Sequence, residues 1–301
     1  MRSHYAHLGL LSQLSSALGH ESARLELRWM MQALREASNR QRGSSLAEMV
    51  ARRMSGEPLQ YILGSQPFGP LNLLARSPVL IPRPETEHWT MRLSEYVTPS
   101  ASRPISLLDL CTGSGCIPLL LCHLWPSGSV RAFGVDIASE AIQLASENTA
   151  ICGFHTPSDN PPSQSPSFRN TFRPILSDIR DPTFLRKSGL YPPFHVVTSN
   201  PPYIPRREYD SLPPSVRDFE DRRALLGDPD SEQGDGLTFY RDIARLVANE
   251  KLLADDGVLA VEVGKGQAKD VERILQDQAK LPKTTIWRDP WLIERVVVAT
   301  R

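Results

Sequence analysis

Leu27, Met30, Met31 and Leu34 fall at positions i, i+3, i+4 and i+7, the spacing that lines one face of a helix. Leu46, Met49, Val50 and Met54 repeat it, with Arg52 and Arg53 on the other side. The polar stretch NRQRGSS (39–45) separates the two runs and predicts a loop. No strand pattern interrupts this region, so residues 1–57 read as a small helical unit. Between residues 58 and 86 glycine and proline punctuate short apolar runs, which predicts turns and a β-hairpin-like linker. From Ile105 the pattern changes again. ISLLDL, RAFGVD, FRPIL, HVVTSN and VLAVEVG read as buried strands, and ERVVVAT as a last one. Ser139–Ala150 and Thr238–Leu253 read as helices between them. Such alternation predicts an α/β domain over 87–301, built on a largely parallel, doubly wound sheet. Residues 154–170, FHTPSDNPPSQSPSFRN, hold little to bury and predict a flexible surface insertion.

Composition narrows the function. The 301 residues carry 34 basic and 34 acidic side chains, a balance that argues against a non-specific nucleic-acid binder. The cysteines Cys111, Cys116, Cys122 and Cys152 form no C-x-x-C pair. Neither a zinc site nor a disulfide framework is expected, and a reducing compartment fits. The apolar runs fall far short of the roughly 20 residues that cross a bilayer, so no membrane partner is expected. The first twenty residues hold Arg2 and three histidines, with no acid before Glu21. A transit peptide shares the lack of acids but carries more arginine; an ordinary first helix is the other reading.

Two stretches carry candidate chemistry. In LLDLCTGSGCIPLLL (107–121) a strand, a glycine turn and a helix follow in order, and Gly113 and Gly115 permit close approach of a ligand. A tight strand–helix turn would look the same. Pro118 stands where a dinucleotide fingerprint needs a third glycine, and Asp109 before the turn is badly placed for a pyrophosphate. An acid there suits a cationic ligand carrying an amino group and a sulfonium. Asp136 ends the next strand 21 residues after Gly115, a spacing that suits an acid binding ribose hydroxyls, unless it only caps the following helix. Asp178 ends a third strand and could accept from an adenine amine, with Ile179 against the ring.

The second stretch is VVTSNPPYIP (196–205). Ligands of open parallel sheets bind beyond the carboxyl ends of strands, so Asn200 should face the cofactor. Pro201 and Pro202 stiffen the turn and remove two N–H donors. Asn200 adds an acceptor and Tyr203 an aromatic face. Such a corner suits a planar NH₂ group, whose delocalised lone pair makes it a poor nucleophile. The four residues Asn200, Pro201, Pro202 and Tyr203 are the catalytic candidates.

GEPLQYILGSQPF, LIPRPETE, DLCTGSG, NPPYI, DFEDRRALLGDPDSEQGDGLTFYRDI, EVGKGQ and ERVVV, in this order, resemble the HemK/PrmC family of protein-(glutamine-N5) methyltransferases. The likeness runs from about Glu21, where ESARLELRWMMQAL matches a family helix, to the C-terminus. It implies a helical, substrate-recognising N-terminal domain, a hairpin linker and a seven-stranded, Rossmann-like class I methyltransferase domain. The implied reaction moves a methyl group from S-adenosylmethionine to the glutamine of the Gly-Gly-Gln loop of a class I peptide-chain release factor, leaving S-adenosylhomocysteine. By this resemblance Asp109 holds the methionine end of the donor. Cys111, Thr112, Gly113, Ser114, Gly115, Asp136 and Ile179 line the donor site, which Asp178 and Asn200 complete. Asn200, Pro201, Pro202 and Tyr203 hold the substrate amide, and Arg83, Glu85 and Thr86 form part of the wall. Arg83 and Glu85 could instead pair across their turn. Phe219 and Glu220 shape the entrance. Cys111 stands where many members have glycine, and Trp291 to Ile293 where a glycine-containing turn is usual. Two other functions remain open: a methyltransferase of exocyclic amines in DNA or rRNA, and an inactive scaffold that binds a translation factor. The expected enzyme is a monomer without direct nucleic-acid contact. The helical domain and the insertion tip its expected location toward the mitochondrial matrix, with a bacterial-type cytoplasm as the alternative.

Overall fold

The computed structural model describes residues 2–37, 45–156, 169–231 and 233–301. Most of the loop expected at 39–45, and residues 157–168 of the expected insertion, lie outside them. Four helices open the chain: α1 (Arg2–Leu18), α2 (His20–Ala37), α3 (Leu46–Met54) and α4 (Leu59–Leu63). Their shared core is Leu14, Ala23, Leu27, Met30, Met49, Val50, Leu59 and Ile62. A reciprocal capping box starts α3: the Glu48 backbone N–H donates to the Ser45 hydroxyl, and the Ser45 N–H to the Glu48 carboxylate. Arg53 ties α3 to Glu26 of α2 at 2.6 Å. Met54, on the expected apolar face, is exposed at the last residue of α3.

The hairpin follows as β1 (Ser65–Phe68) and β2 (Leu71–Leu74), turning at Gly69. Gly69 adopts a positive φ, and a Cβ on it would stand 2.8 Å from Leu120. The turn therefore seats directly on the glycine-loop helix, α6 (Cys116–Leu124), which is named here with its neighbours α5 (Pro84–Tyr96) and β3 (Ile105–Leu110). Phe68, Leu71 and Leu73 join the core beneath it.

The remaining elements are β4 (Val130–Asp136), α7 (Ser139–Ile151), β5 (Thr171–Leu176), α8 (Phe184–Ser188), β6 (Phe194–Ser199), the short α9 (Arg206–Tyr209) and α10 (Pro214–Arg217), α11 (Thr238–Asn249), β7 (Leu253–Glu262), α12 (Ala268–Asp277), β8 (Lys283–Arg288) and β9 (Glu294–Thr300). Seven strands form one sheet in the order β5-β4-β3-β6-β7-β9-β8. The first five pair in parallel, while β9 runs antiparallel to β7 and to β8. Apolar clusters cover both faces, one under α11 and α12, the other under α5, α6 and the hairpin.

Three differences from the sequence expectation have plain causes. The helix expected to reach Leu253 stops at Asn249, because Leu252 and Leu253 are fully buried and Lys251 turns the chain with φ 49°. β8 was not expected: only Trp287 of KTTIWR is buried, as suits an edge strand. The ends of the insertion belong to the fold. Buried Asn170 accepts from the N–H groups of Ser129 and Val130 and donates to the carbonyls of Cys122 and Trp125.

Gly134, in the middle of β4, has no room for a side chain; a Cβ would lie 2.5 Å from the Thr112 hydroxyl and 2.8 Å from the Phe172 ring. Gly134→Ala is therefore expected to cost about 1–3 kcal/mol by overpacking. Gly9→Ala, in α1 with open space around it, should instead gain about 0.5–1 kcal/mol. Urea midpoints of the two variants check the contrast.

Candidate active site

Register places the site. Leu110 pairs with Val135 and with Ser199, and Ser199 pairs with Val261. One residue beyond this level row stand Cys111, Asp136, Asn200 and Glu262, on four adjacent strands. A cavity of about 410 Å³ opens above the row, bounded by Cys111, Gly113, Asp136, Asp178, Ile179, Asn200 and Pro202, with Leu80 and Phe239 opposite.

The glycine loop turns through three positive φ angles, at Cys111 (60°), Gly113 (54°) and Gly115 (78°). Gly115 has the Phe172 ring 2.8 Å from where a Cβ would be, so glycine is required there for packing. Around Gly113 there is open space, on the side where the cavity lies. Burial pushes the Cys111 thiol well above its ordinary value, with nearby Asp136 and Asp109 acting in the same direction. It stays protonated and is no nucleophile.

Asp136 fastens this loop from the side. One carboxylate oxygen accepts from the Gly113 N–H and the other from the Ala138 N–H, both at 2.9 Å. It thus holds the start of α7 and borders the cavity as well. Burial pushes its pKa up, against the pull of those two donors. Asp178 accepts from the Arg180 N–H at 2.8 Å, and Ile179 presents an apolar surface beside it. The cavity size is ordinary for a small-molecule site. An acid at the end of β4, an apolar wall after β5 and an unobstructed glycine between them fit a nucleoside-bearing donor.

Asp109 stands elsewhere. It is fully buried within the sheet, where Oδ1 accepts from the Thr198 hydroxyl at 2.7 Å. Its Oδ2 and the hydroxyls of Thr112 and Ser114 have no partner among the described residues. Asp109, Thr112, Ser114 and Gly115 are not among the residues that bound the cavity. Burial raises the Asp109 carboxyl to about 7, against the Thr198 hydroxyl, which lowers it.

On the β6 side Asn200 and Pro202 face the cavity, while Pro201 is buried behind them. The Tyr203 ring borders a neighbouring groove with Gly264 and Gln267. Burial and the nearby Glu262 carboxylate push its phenol up. Gln267 fixes the end of the turn: its Nε2 donates to the Tyr203 carbonyl and its Oε1 accepts from the Gly264 N–H, both at 3.0 Å.

Thr86, in the first turn of α5, lies behind Asn200, whose Nδ2 donates to the Thr86 hydroxyl at 3.3 Å. That hydroxyl donates to buried Glu262 at 2.6 Å. Arg83 pairs with Glu220 rather than Glu85, one Nη2 reaching both carboxylate oxygens at 2.8 and 2.6 Å. Glu85 sits 3.8 Å from Arg295. Phe219 does not border the cavity; it packs against Tyr61, Ala75 and Ile81 where the hairpin meets the helical unit. Sequence reasoning missed Glu262 and Gln267. A lone acid inside the apolar run VLAVEVG was the available signal for Glu262, whereas for Gln267 the signal was the family-like segment EVGKGQ that it ends, which names no role for it.

A glycine loop after the first strand of this sheet, an acid ending the second and an Asn-Pro-Pro-Tyr turn after the fourth define a class I S-adenosylmethionine-dependent methyltransferase. Residues 10–64 match the family model of the PrmC N-terminal domain. Release factor glutamine methyltransferase of Thermodesulfovibrio yellowstonii is 33% identical over 230 residues, 76% of this chain and 72% of that protein. The Bacillus cereus protein of the same name is 32% identical over 248 residues, covering 82% and 77% of the two chains. That of Geobacter sulfurreducens is 34% identical over 265 residues, covering 84% and 81%. The chain belongs to the release factor glutamine methyltransferase family. These relatives are bacterial, and the mitochondrial expectation finds no support in them. No helix among the described residues is long and apolar enough to cross a membrane.

Raising the Asp109 pKa means that the folded state binds a proton more tightly than the unfolded chain does. Its favourable contribution is complete below about 4 and is lost as pH rises through about 7. Asp109→Asn removes this dependence. The melting temperature of the variant, relative to the parent, is expected to climb between these pH values; a constant difference contradicts the assignment.

Proposed function

We propose that the protein transfers a methyl group from S-adenosylmethionine to the side-chain amide nitrogen of the glutamine in the Gly-Gly-Gln loop of a class I release factor. One observation carries the reading: Asn200 and Pro202 border the same cavity as Gly113 and Asp136. The turn that suits an amide and the loop that suits a donor therefore share one space. In this reading the enzyme acts as a monomer, with the release factor as its partner and no direct nucleic-acid contact.

When bound, the donor supplies an electrophilic sulfonium methyl. Gly113 lets it lie close to the backbone, Asp136 keeps lone pairs for two ribose hydroxyls, and Asp178 and Ile179 take the adenine amine and ring. Asn200 has the chemically harder task. An amide nitrogen is a weak nucleophile because its lone pair is shared with the carbonyl. Acceptors that grip its two hydrogens stabilise the positive charge that builds on nitrogen and favour pyramidal geometry. The side-chain oxygen of Asn200 supplies one acceptor, and the proline-stiffened backbone beside it holds that oxygen in place. The proton that the amide nitrogen gives up on methylation is strongly acidic and passes by way of these acceptors to water, so no strongly basic side chain is needed. The neutral thiol of Cys111 does not compete for the methyl.

Incubation with isotopically labelled donor and a release factor, with its loop glutamine intact or replaced, tests the reaction. Label is expected only on the intact factor; label on both contradicts the glutamine assignment. Asn200→Ala should lower kcat by about 100-fold or more while donor affinity stays within twofold. Asp136→Ala should weaken donor binding about tenfold or more, since charge-assisted hydrogen bonds to ribose are lost. Isothermal titration with S-adenosylhomocysteine separates the two effects.

A further inference from the structure

Asn200 is useful only if its oxygen, not its nitrogen, meets the incoming NH₂ group. Both ends of the carboxamide have nearly the same shape, so packing alone does not choose between them. The hydrogen-bond chain behind Asn200 does. Trp89 Nε1, which only donates, reaches Glu262 Oε2 at 2.7 Å. The Thr86 hydroxyl reaches the same oxygen at 2.6 Å. Since two donors converge on Oε2, that oxygen is the bare acceptor of the carboxyl group, and any proton taken up by Glu262 belongs on Oε1. The single hydroxyl hydrogen of Thr86 is thereby committed to Glu262. Its oxygen is left as an acceptor, and Asn200 Nδ2 lies 3.3 Å from it.

We infer that Glu262 and Thr86 are positioning residues that fix the direction of the Asn200 carboxamide, so that Oδ1 is the end offered to the substrate nitrogen. This rests on the methyl-transfer reading given above. With Asn200 turned over, two oxygens would meet at Thr86 and two NH₂ groups would meet in the cavity. Each is a loss of a hydrogen bond with the groups left buried and unmatched. Glu262 suits this role because its Oε2 and its backbone are both held. It ends β7 and is nearly fully buried. Its backbone carbonyl accepts from the Tyr240 hydroxyl at 2.8 Å. Thr86 is equally fixed, being 1% exposed, with its own carbonyl accepting from the Thr90 hydroxyl at 2.7 Å. A direction set by such fixed groups requires no reorganisation when substrate arrives.

Thr86→Val removes the hydroxyl at constant shape, and Thr86→Ser keeps it. The valine variant is expected to lose roughly 10- to 100-fold in kcat, because the amide acceptor is no longer held in its productive orientation. KM for the release factor and affinity for S-adenosylhomocysteine should stay within about twofold, and the serine variant should recover most of the rate. Thr86→Ala gives the same comparison should the valine variant fail to fold. A readout independent of turnover is the Asn200 side-chain NH₂ resonance in protein labelled with heavy-nitrogen asparagine. Its hydrogen-bonded shift should persist with serine and be lost with valine. Equal rates for valine and serine variants, or an NH₂ resonance indifferent to the substitution, would overturn the inference. Absence of transfer by the parent protein would instead count against the reaction itself, while leaving the spectroscopic comparison to decide the orientation.

Discussion

Parallel pairing of β3 with β4 and β6, and of β6 with β7, is the constraint on which the rest depends. It sets Leu110, Val135, Ser199 and Val261 level across the sheet. The next residue on each strand is then Cys111, Asp136, Asn200 or Glu262. A one-residue slip of any strand would turn its side chains to the opposite face and scatter this row. The register is held by burial on both sides: Leu110, Val135 and Val261 pack into the apolar cluster on one face, and Leu107, Ala132, Val196 and Val258 into the cluster on the other. The level row is thus a by-product of core packing.

From that row the molecule divides labour by environment. Asp136 keeps contact with the cavity while two backbone N–H groups hold it. Asp109, on the neighbouring strand, is buried among strands and meets a single hydroxyl. Two acids that look alike in sequence thus differ in access. Glu262 represents a third situation, a buried carboxyl group whose Oε2 accepts from both Thr86 and Trp89. It touches no ligand space directly, yet it governs what Asn200 presents there. The neighbouring Arg83–Glu220 pair does similar structural service, joining the start of α5 to the segment after α10.

Much of this was readable in the chain. The helical period of Leu27 to Leu34, the alternation from Ile105 onward, the glycine loop and the Asn-Pro-Pro-Tyr turn are local signals; the structure forms these elements where the patterns lie, but turns the Tyr203 ring to a neighbouring groove. What escaped the sequence was information carried by contacts between distant segments. Arg83 could be read with Glu85 because they are two positions apart; its partner Glu220 is 137 residues away. Phe219 adjoins the entrance in sequence but points into the small core with Tyr61. Gln267 stands at the end of the family-like EVGKGQ, but its bond to the Tyr203 carbonyl joins residues 64 positions apart. The edge strand β8 was hidden for another reason: KTTIWR is mostly exposed and polar and lacks the apolar run that betrays the inner strands.

The account reduces to a carboxamide oxygen waiting for an NH₂ group, and a substrate that lacks those hydrogens addresses it most directly. Binding of a class I release factor carrying glutamate in place of its loop glutamine, measured by calorimetry with S-adenosylhomocysteine present, is that measurement. The carboxylate would face the Asn200 oxygen with no hydrogen between them, so its affinity should fall about 100-fold or more below that of the glutamine form. Equal affinities for the two would contradict the account.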